Sequence, residues 1–326
     1  MILGPRSDNS EELSLPREIT SKARQQQHTP GNMGANLSYE ANDLSGKNVI
    51  VTGGNAGIGL VTARELAKLG ASVTIACRDP TRAQNAVEEL SKVGANVQTL
   101  PLDLASFESV QTFAKSYGEK HDALHILVLN AGIMALPERK TTKDGLEMQM
   151  GTNHFGHFLL TGLLMDRLKA AQGARVVTVA SSAHQMASLD LDDLQSEKNY
   201  SKWKAYGNSK LANVLFAKEL QKRSDANGWK IDAFSVHPGV IGTDLWNHNS
   251  GVQGAFLRFG RKFMRDTEEG AKTSLYCAVD RDAEKNKGGY FSDCAPKSGT
   301  SATRDDELAA GLWEKSEDIC KVKYDA

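Results

Sequence analysis

From Lys47 onward, short apolar runs rich in β-branched residues alternate with longer stretches of helical period, and this alternation constrains the chain more than any other feature. The strand candidates are Asn48–Thr52, Ser72–Cys77, Asn96–Pro101, Ile126–Asn130, Arg175–Ala180 and Ile231–His237. Between and after them lie helix candidates Gly57–Leu69, Thr81–Val93, Phe107–Tyr117, Thr152–Lys169 and Ala205–Arg223. The stripe Leu60, Ala63, Leu66 and Ala67 in the first of these repeats at helical spacing. The strands are nearly continuous in apolar character, as a parallel sheet covered on both faces requires. Strand–helix–strand repetition of this kind predicts an α/β fold: a single-domain, Rossmann-type, doubly wound parallel sheet with helices on both faces.

Residues 1–44 read differently. They are rich in Ser, Asn, Gln, Gly and Pro, hold few large apolar side chains, and bury too little surface to offset their ordering entropy. They predict a flexible polar leader ahead of a domain spanning 45–326. A transit peptide is the competing reading, on Arg17, Lys22 and Arg24; Asp8, Glu11, Glu12 and Glu18 count against it. The net charge of −1 gives no general attraction to nucleic acid or an anionic membrane. The four cysteines form no CxxC pair and stand at no metal-ligand spacing to a histidine, so no metal is expected and a cytoplasmic, reducing compartment fits. The longest apolar run, Leu124 to Leu136, is broken by His125, Asn130 and Gly132, too short for a membrane span.

Gly53, Asn55, Gly57, Ile58 and Gly59 follow the first strand and open a helix. Glycines let the backbone approach a phosphate, and the helix N-terminus presents unpaired N–H groups to it. The spacing is G-x-x-x-G-x-G rather than the commoner dinucleotide G-x-G-x-x-G, and on its own it is equally an ordinary strand-to-helix turn. The second strand ends Cys77-Arg78-Asp79. An acid at that strand end would take the ribose hydroxyls of NAD; here Cys77 fills the slot and Arg78 follows, a pattern suited to the 2′-phosphate of NADP(H). Asp79 lies too far along to be that acid.

Tyr206 and Lys210 are four apart and share a helix face. A neighbouring ammonium favours a phenolate, so Tyr206 is a candidate proton donor and acceptor. Ser181-Ser182 follows a strand end, where open α/β sheets place their sites. No nucleophile elbow accompanies this pair. His154, His157 and His184 read as surface or core residues rather than catalytic ones.

Taken together these motifs resemble the short-chain dehydrogenase/reductase family, from Ser45 to about Cys320. The resemblance implies a TGxxxGxG cofactor loop at Thr52–Gly59 and an adenine-contacting pair at Asp103 and Leu104. It implies the NAG motif at Asn130, Ala131 and Gly132, and a nicotinamide-contacting segment at Pro238, Gly239, Val240 and Thr243. The implied catalytic set is Asn153, Ser182, Tyr206 and Lys210, with Ser182 taken as the second of its pair, Asn153 in a locally distorted helix holding a proton-relay water, and Lys210 lowering the Tyr206 pKa. Ala76–Asp79, Tyr206–Leu215, Tyr290–Cys294 and Leu312-Trp313 are similar to the retinol dehydrogenase-like branch, whose members use NADP(H) on apolar aldehydes, ketones and alcohols. The implied function is hydride transfer between NADP(H) and a small-molecule carbonyl or alcohol, with a homo-oligomer left open. An epimerase or dehydratase on the same fold, and a non-catalytic NADPH-binding scaffold, are the rival readings. Trp246, Val252, Phe256, Leu257, Phe259, Phe263 and Met264 predict either an apolar lid or an amphipathic packing helix.

Overall fold

The computed structural model describes residues 1, 42–92, 94–239 and 266–324. The architecture below belongs to the unit Ala35–Ala326. In chain order the strands are β1 (Asn48–Thr52), β2 (Ser72–Cys77), β3 (Val97–Pro101), β4 (Ile126–Leu129), β5 (Ala174–Val179), β6 (Ile231–His237), β7 (Tyr290–Ser292) and β8 (Ala295–Pro296). The α-helices are α1 (Gly57–Lys68), α2 (Pro80–Ser91), α3 (Phe107–Gly118), α4 (Met148–Met150), α5 (Gly156–Leu163), α6 (Met165–Ala170), α7 (Lys202–Asn227), α8 (Thr267–Val279), α9 (Ser301–Arg304) and α10 (Asp306–Cys320). The strands form one sheet in the order β3-β2-β1-β4-β5-β6-β7-β8. All neighbours are parallel except the β7–β8 pair. The strand order reverses between β1 and β4, which opens a crevice at the strands' C-terminal ends.

Two apolar layers hold helices to the sheet. On one face Leu66, Ile75, Val128, Val177, Phe234 and Leu275 join α1, α2 and α8 to the strands. On the other, Phe113, Leu127, Phe158, Val176, Leu215 and Trp313 join α3, α5, α7 and α10. Helix ends are set locally. Asp79 accepts from the Arg82 amide at 3.0 Å and Pro80 opens α2. Asp266 accepts from the Glu269 amide at 2.8 Å at the start of α8. Gly228, left-handed at φ +66°, closes α7.

The doubly wound architecture matches the expectation, and β1, β2 and β6 have the expected bounds. The expected helix over 152–169 is broken instead. Gly151–Phe155 winds as a π turn, α5 follows, and Leu164 (φ −100°, ψ 5°) separates α5 from α6. Helix α7 is longer than expected at both ends. Strands β7 and β8 were not anticipated: three and two residues carry no readable period, and their turn uses left-handed Asp293 and Cys294 rather than glycine.

Candidate active site

The cofactor loop is shaped by exclusion of side chains. A Cβ on Gly59 would stand 2.3 Å from the Gly53 carbonyl oxygen and 2.5 Å from Asn130 Nδ2, so only glycine fits. Gly57 adopts φ +56° as the chain turns into α1. Ala56 caps α1 without a side-chain bond, and the first turn holds no acid. That helix end therefore keeps its N–H groups and positive dipole for an anion, and the glycine cradle suits a dinucleotide pyrophosphate. Asn55 and Ile58 are half-buried in the same turn.

Cys77 is buried at the end of β2 and Arg78 is exposed just beyond it. Asp79 caps α2 and sits 3.7 Å from Arg82. Asp103 accepts from the Ala105 amide at 3.1 Å, and its own N–H donates to Ser109 Oγ at 2.9 Å. Leu104 is buried, and its carbonyl closes on Gly156, where a Cβ would approach to 2.4 Å. Pro238 and Gly239 follow β6, Gly239 at φ +90°. Val240, Thr243 and the Trp246–Met264 segment lie outside the described residues.

Between the cofactor loop and the catalytic candidates stands the Asn130–Gly132 turn. Thr52 Oγ1 accepts from the amides of Asn130 at 2.9 Å and Ala131 at 3.0 Å, while Asn130 Nδ2 donates to the Thr52 carbonyl at 2.8 Å. A Cβ on Gly132 would lie 3.1 Å from Asn153 Oδ1 and 3.5 Å from Lys210 Nζ, so this turn runs directly past both side chains. Asn153 is fully buried inside the π turn. It accepts from the Ile133 amide at 2.8 Å and donates to the Ile133 carbonyl at 3.0 Å and to Ser209 Oγ at 2.9 Å. A distorted helix at Asn153 was expected from the resemblance, and π turns of this kind are frequent at functional sites.

Tyr206 and Lys210 both lie in α7 and both are buried, at 6% and 4% exposure, so neither is a surface residue of an amphipathic helix. Lys210 Nζ donates to the Val179 carbonyl at 2.9 Å and stands 5.8 Å from the centre of the Tyr206 ring. Burial pushes the Lys210 ammonium down to about 8. It also pushes the Tyr206 phenol up, against a hydrogen bond from the Ser181 side chain that pulls it down. That burial comes from the enclosure of the ring by Met134, Ala135, Ala183 and Trp203.

The serine pair stands at the end of β5. Ser181 is the last extended residue (φ −162°, ψ 154°), and its Oγ accepts from the Ala183 amide at 3.2 Å, capping a 3-10 turn over Ser182–Met186. Ser182 lies inside the turn and gives its backbone amide to His237 Nδ1 at 3.3 Å. The Ser181 side chain bears on the Tyr206 phenol and pulls it down against burial.

All three histidines are core residues, each 1% exposed. His154 Nε2 meets Ser316 Oγ of α10 at 2.9 Å, and His184 Nδ1 meets the Ser181 carbonyl at 2.6 Å. His157 bridges Thr52 and Asn153. Among the described residues no His/Cys/Asp/Glu group is arranged to hold a metal, and no helix is long and apolar enough to cross a membrane.

The short chain dehydrogenase family model matches residues 47–252. The chain is 44% identical over 284 residues to human (Homo sapiens) retinol dehydrogenase 12, covering 86% of this chain and 89% of that protein. It is 40% identical to human retinol dehydrogenase 11, covering 86% and 88%. A crystal structure of an uncharacterized protein from Mycobacterium paratuberculosis superposes with a TM-score of 0.72 at 34% identity, covering 87% of this chain and 97% of that one. The Pseudomonas aeruginosa RhlG/NADP active-site complex superposes with a TM-score of 0.61 at 26% identity, covering 76% and 95%.

Proposed function

The chain belongs to the short-chain dehydrogenase/reductase family, in its retinol dehydrogenase-like branch, and from that premise we propose that it is an NADP(H)-dependent oxidoreductase acting on an apolar aldehyde, ketone or alcohol. The observation that carries the reading is the convergence of buried Tyr206, Lys210 and Asn153 with the Ser181-Ser182 pair at the C-terminal end of β5, beside a glycine cradle suited to a dinucleotide.

When bound, the nicotinamide supplies or takes up the hydride. The residues that would hold the cofactor are Gly53–Gly59 at the pyrophosphate, Asp103 and Leu104 at the adenine, and Asn130–Gly132 along its length. Arg78 is the residue for a 2′-phosphate, since it is exposed at the end of β2 with no competing acid in the Cys77 slot. In reduction the Tyr206 phenol gives its proton to the carbonyl oxygen; burial keeps that phenol protonated until the proton is needed. Ser182, the second serine after β5, is the proposed donor to the same oxygen. Lys210 keeps a positive charge beside the ring, and Asn153 fixes the backbone past which protons are replenished. Apolar Met134, Ala135, Ala183 and Trp203 around Tyr206 favour a lipophilic substrate. The similarity to retinol dehydrogenases 11 and 12 supports the same class.

The test is NADPH absorbance with purified full-length protein and a panel of apolar aldehydes and ketones. Tyr206→Phe is expected to lose on the order of a hundredfold or more in turnover while still binding NADPH. A Tyr206→Phe variant as active as the parent would overturn the proton-transfer assignment. Arg78→Ala is expected to weaken NADPH binding about tenfold or more, as loss of a charged hydrogen bond does, and to leave NADH nearly unchanged. Equal losses for both cofactors would sink the NADP(H) preference.

A further inference from the structure

His157 lies in α5, one turn after Asn153, and is 1% exposed. Its Nδ1 is 3.1 Å from the Asn153 carbonyl oxygen and its Nε2 is 2.9 Å from Thr52 Oγ1. A carbonyl oxygen only accepts, so Nδ1 carries the hydrogen. The ring is neutral: burial, opposed only by the bond to Asn153 and aided by the nearby Lys210 charge, pushes it down to about 3. Nε2 is then bare and accepts the hydrogen of the Thr52 hydroxyl. The Thr52 oxygen is left with two lone pairs, and both are used, by the amides of Asn130 and Ala131. The Val128 carbonyl, at 3.4 Å, is the longer alternative for that hydrogen.

These bonds close a circuit. Thr52 ends β1 at the cofactor loop; its oxygen fixes the Asn130–Ala131 turn; the chain runs on to Ile133, whose amide and carbonyl are both held by the Asn153 side chain. The Asn153 carbonyl, within the π turn, returns through His157 to Thr52. An apolar side chain would fill the same space without a buried polar cost, so a histidine here is costly unless its two nitrogens are both needed.

We propose that His157 is a positioning residue for Asn153. As an Nδ1–H donor and Nε2 acceptor it ties the π turn to the end of β1 and so sets where Asn153 stands relative to Tyr206 and Lys210. This rests on the catalytic reading given above for Asn153 and Tyr206.

Two measurements on the full chain test it. The first is a long-range 15N–1H correlation spectrum of protein labelled in its histidine rings, with His157→Asn used to assign the signal. His157 is expected as the neutral Nδ1–H tautomer from about pH 5 to 8, well above its depressed titration. An Nε2–H tautomer or a ring that protonates in that range overturns the proposal without reference to activity. The second is NADPH turnover with decanal by the parent, His157→Phe, His157→Asn and Tyr206→Phe. His157→Phe is expected to lose about tenfold to a hundredfold in kcat with KM changed less than about threefold, the signature of misplacement rather than lost binding. His157→Asn, which can present Nδ2 where Nδ1 stands, is expected to recover a substantial part of that loss. A folded His157→Phe within about twofold of the parent in kcat overturns the positioning role, as does a His157→Asn no better than His157→Phe. Should His157→Phe fail to fold, the tautomer and the kcat of His157→Asn decide. Activity surviving in Tyr206→Phe overturns instead the catalytic reading beneath it, a result distinguishable because the tautomer is read independently.

Discussion

At the scale of single residues, the site is decided by which atoms have a bond left to make. Ser181 and Ser182 are chemically identical neighbours, yet the Ser181 hydroxyl accepts from the Ala183 amide at 3.2 Å and Ser182 contributes a backbone amide to His237. The difference follows from the point at which extended backbone gives way to the 3-10 turn, between the two serines. With Ser182 proposed to orient the substrate oxygen, Ser182→Ala is expected to cut kcat by about tenfold to a hundredfold through loss of one preorganised donor, and Ser181→Ala is expected to cost less. Steady-state kinetics on the two variants reads this directly, and a larger loss in Ser181→Ala would move the role to Ser181. Tyr206 and Lys210 share a buried face of α7, as their spacing predicts, and the glycines stand in the β1–α1 turn; Asn153 was pointed to only by the family resemblance. The contact between Thr52 and His157 was not legible, because they meet only when β1 and α5 are packed together, 105 residues apart along the chain.

At the scale of elements, the long strands of the sheet's centre were readable because burial on both faces demands continuous apolar runs. The π turn over Gly151–Phe155 was not readable as such, because the bonds that favour it come from Ile133 and Ser209, outside the helix. Helix α10 is the clearest case of an element whose place is set by tertiary packing. Its Trp313, 2% exposed, sits edge-on to Phe158 at 5.0 Å and to Tyr324 at 4.5 Å, and stacks on Phe216 at 5.8 Å. Its Nε1 donates to Glu317 Oε1 at 3.1 Å, and the Arg223 guanidinium lies 4.8 Å from the ring. Trp313 thus joins α5, α7 and the chain's last described turn. Trp313→Ala is expected to destabilise the protein by about 3–5 kcal/mol, the range for emptying a buried aromatic site. Chemical denaturation monitored by circular dichroism checks it; a cost under about 1 kcal/mol would mean that α10 contributes little to the fold.

At the scale of the whole molecule, the layer between the sheet and α10 encloses two neutral histidines, His154 and His157, and this gives the fold a defined response to acid. Burial pushes both rings from the usual histidine value of 6.5 down to about 3. The sign follows from proton counting. Between about pH 3 and 6.5 the unfolded chain carries a proton on each ring and the folded chain does not. Unfolding therefore takes up protons, and stability is full above about pH 6.5 and falls as the pH drops through that window. Two such rings together contribute a slope of about 2.7 kcal/mol per pH unit in the middle of the range, and one contributes about 1.4. Carboxylates add their own dependence, so the informative quantity is a difference. His154→Phe removes one ring while keeping an aromatic beside Phe155, Phe158 and Phe216. It also forfeits the bond to Ser316, which lowers stability by a constant amount at every pH. The variant is accordingly expected to be less stable at pH 7.5, yet to lose stability more slowly on acidification, by about 1.4 kcal/mol less per pH unit between pH 4 and 6. Urea denaturation at half-unit pH steps measures both slopes. Parallel curves for parent and variant would mean that His154 titrates in the folded protein, and the closed layer inferred around it would have to admit water.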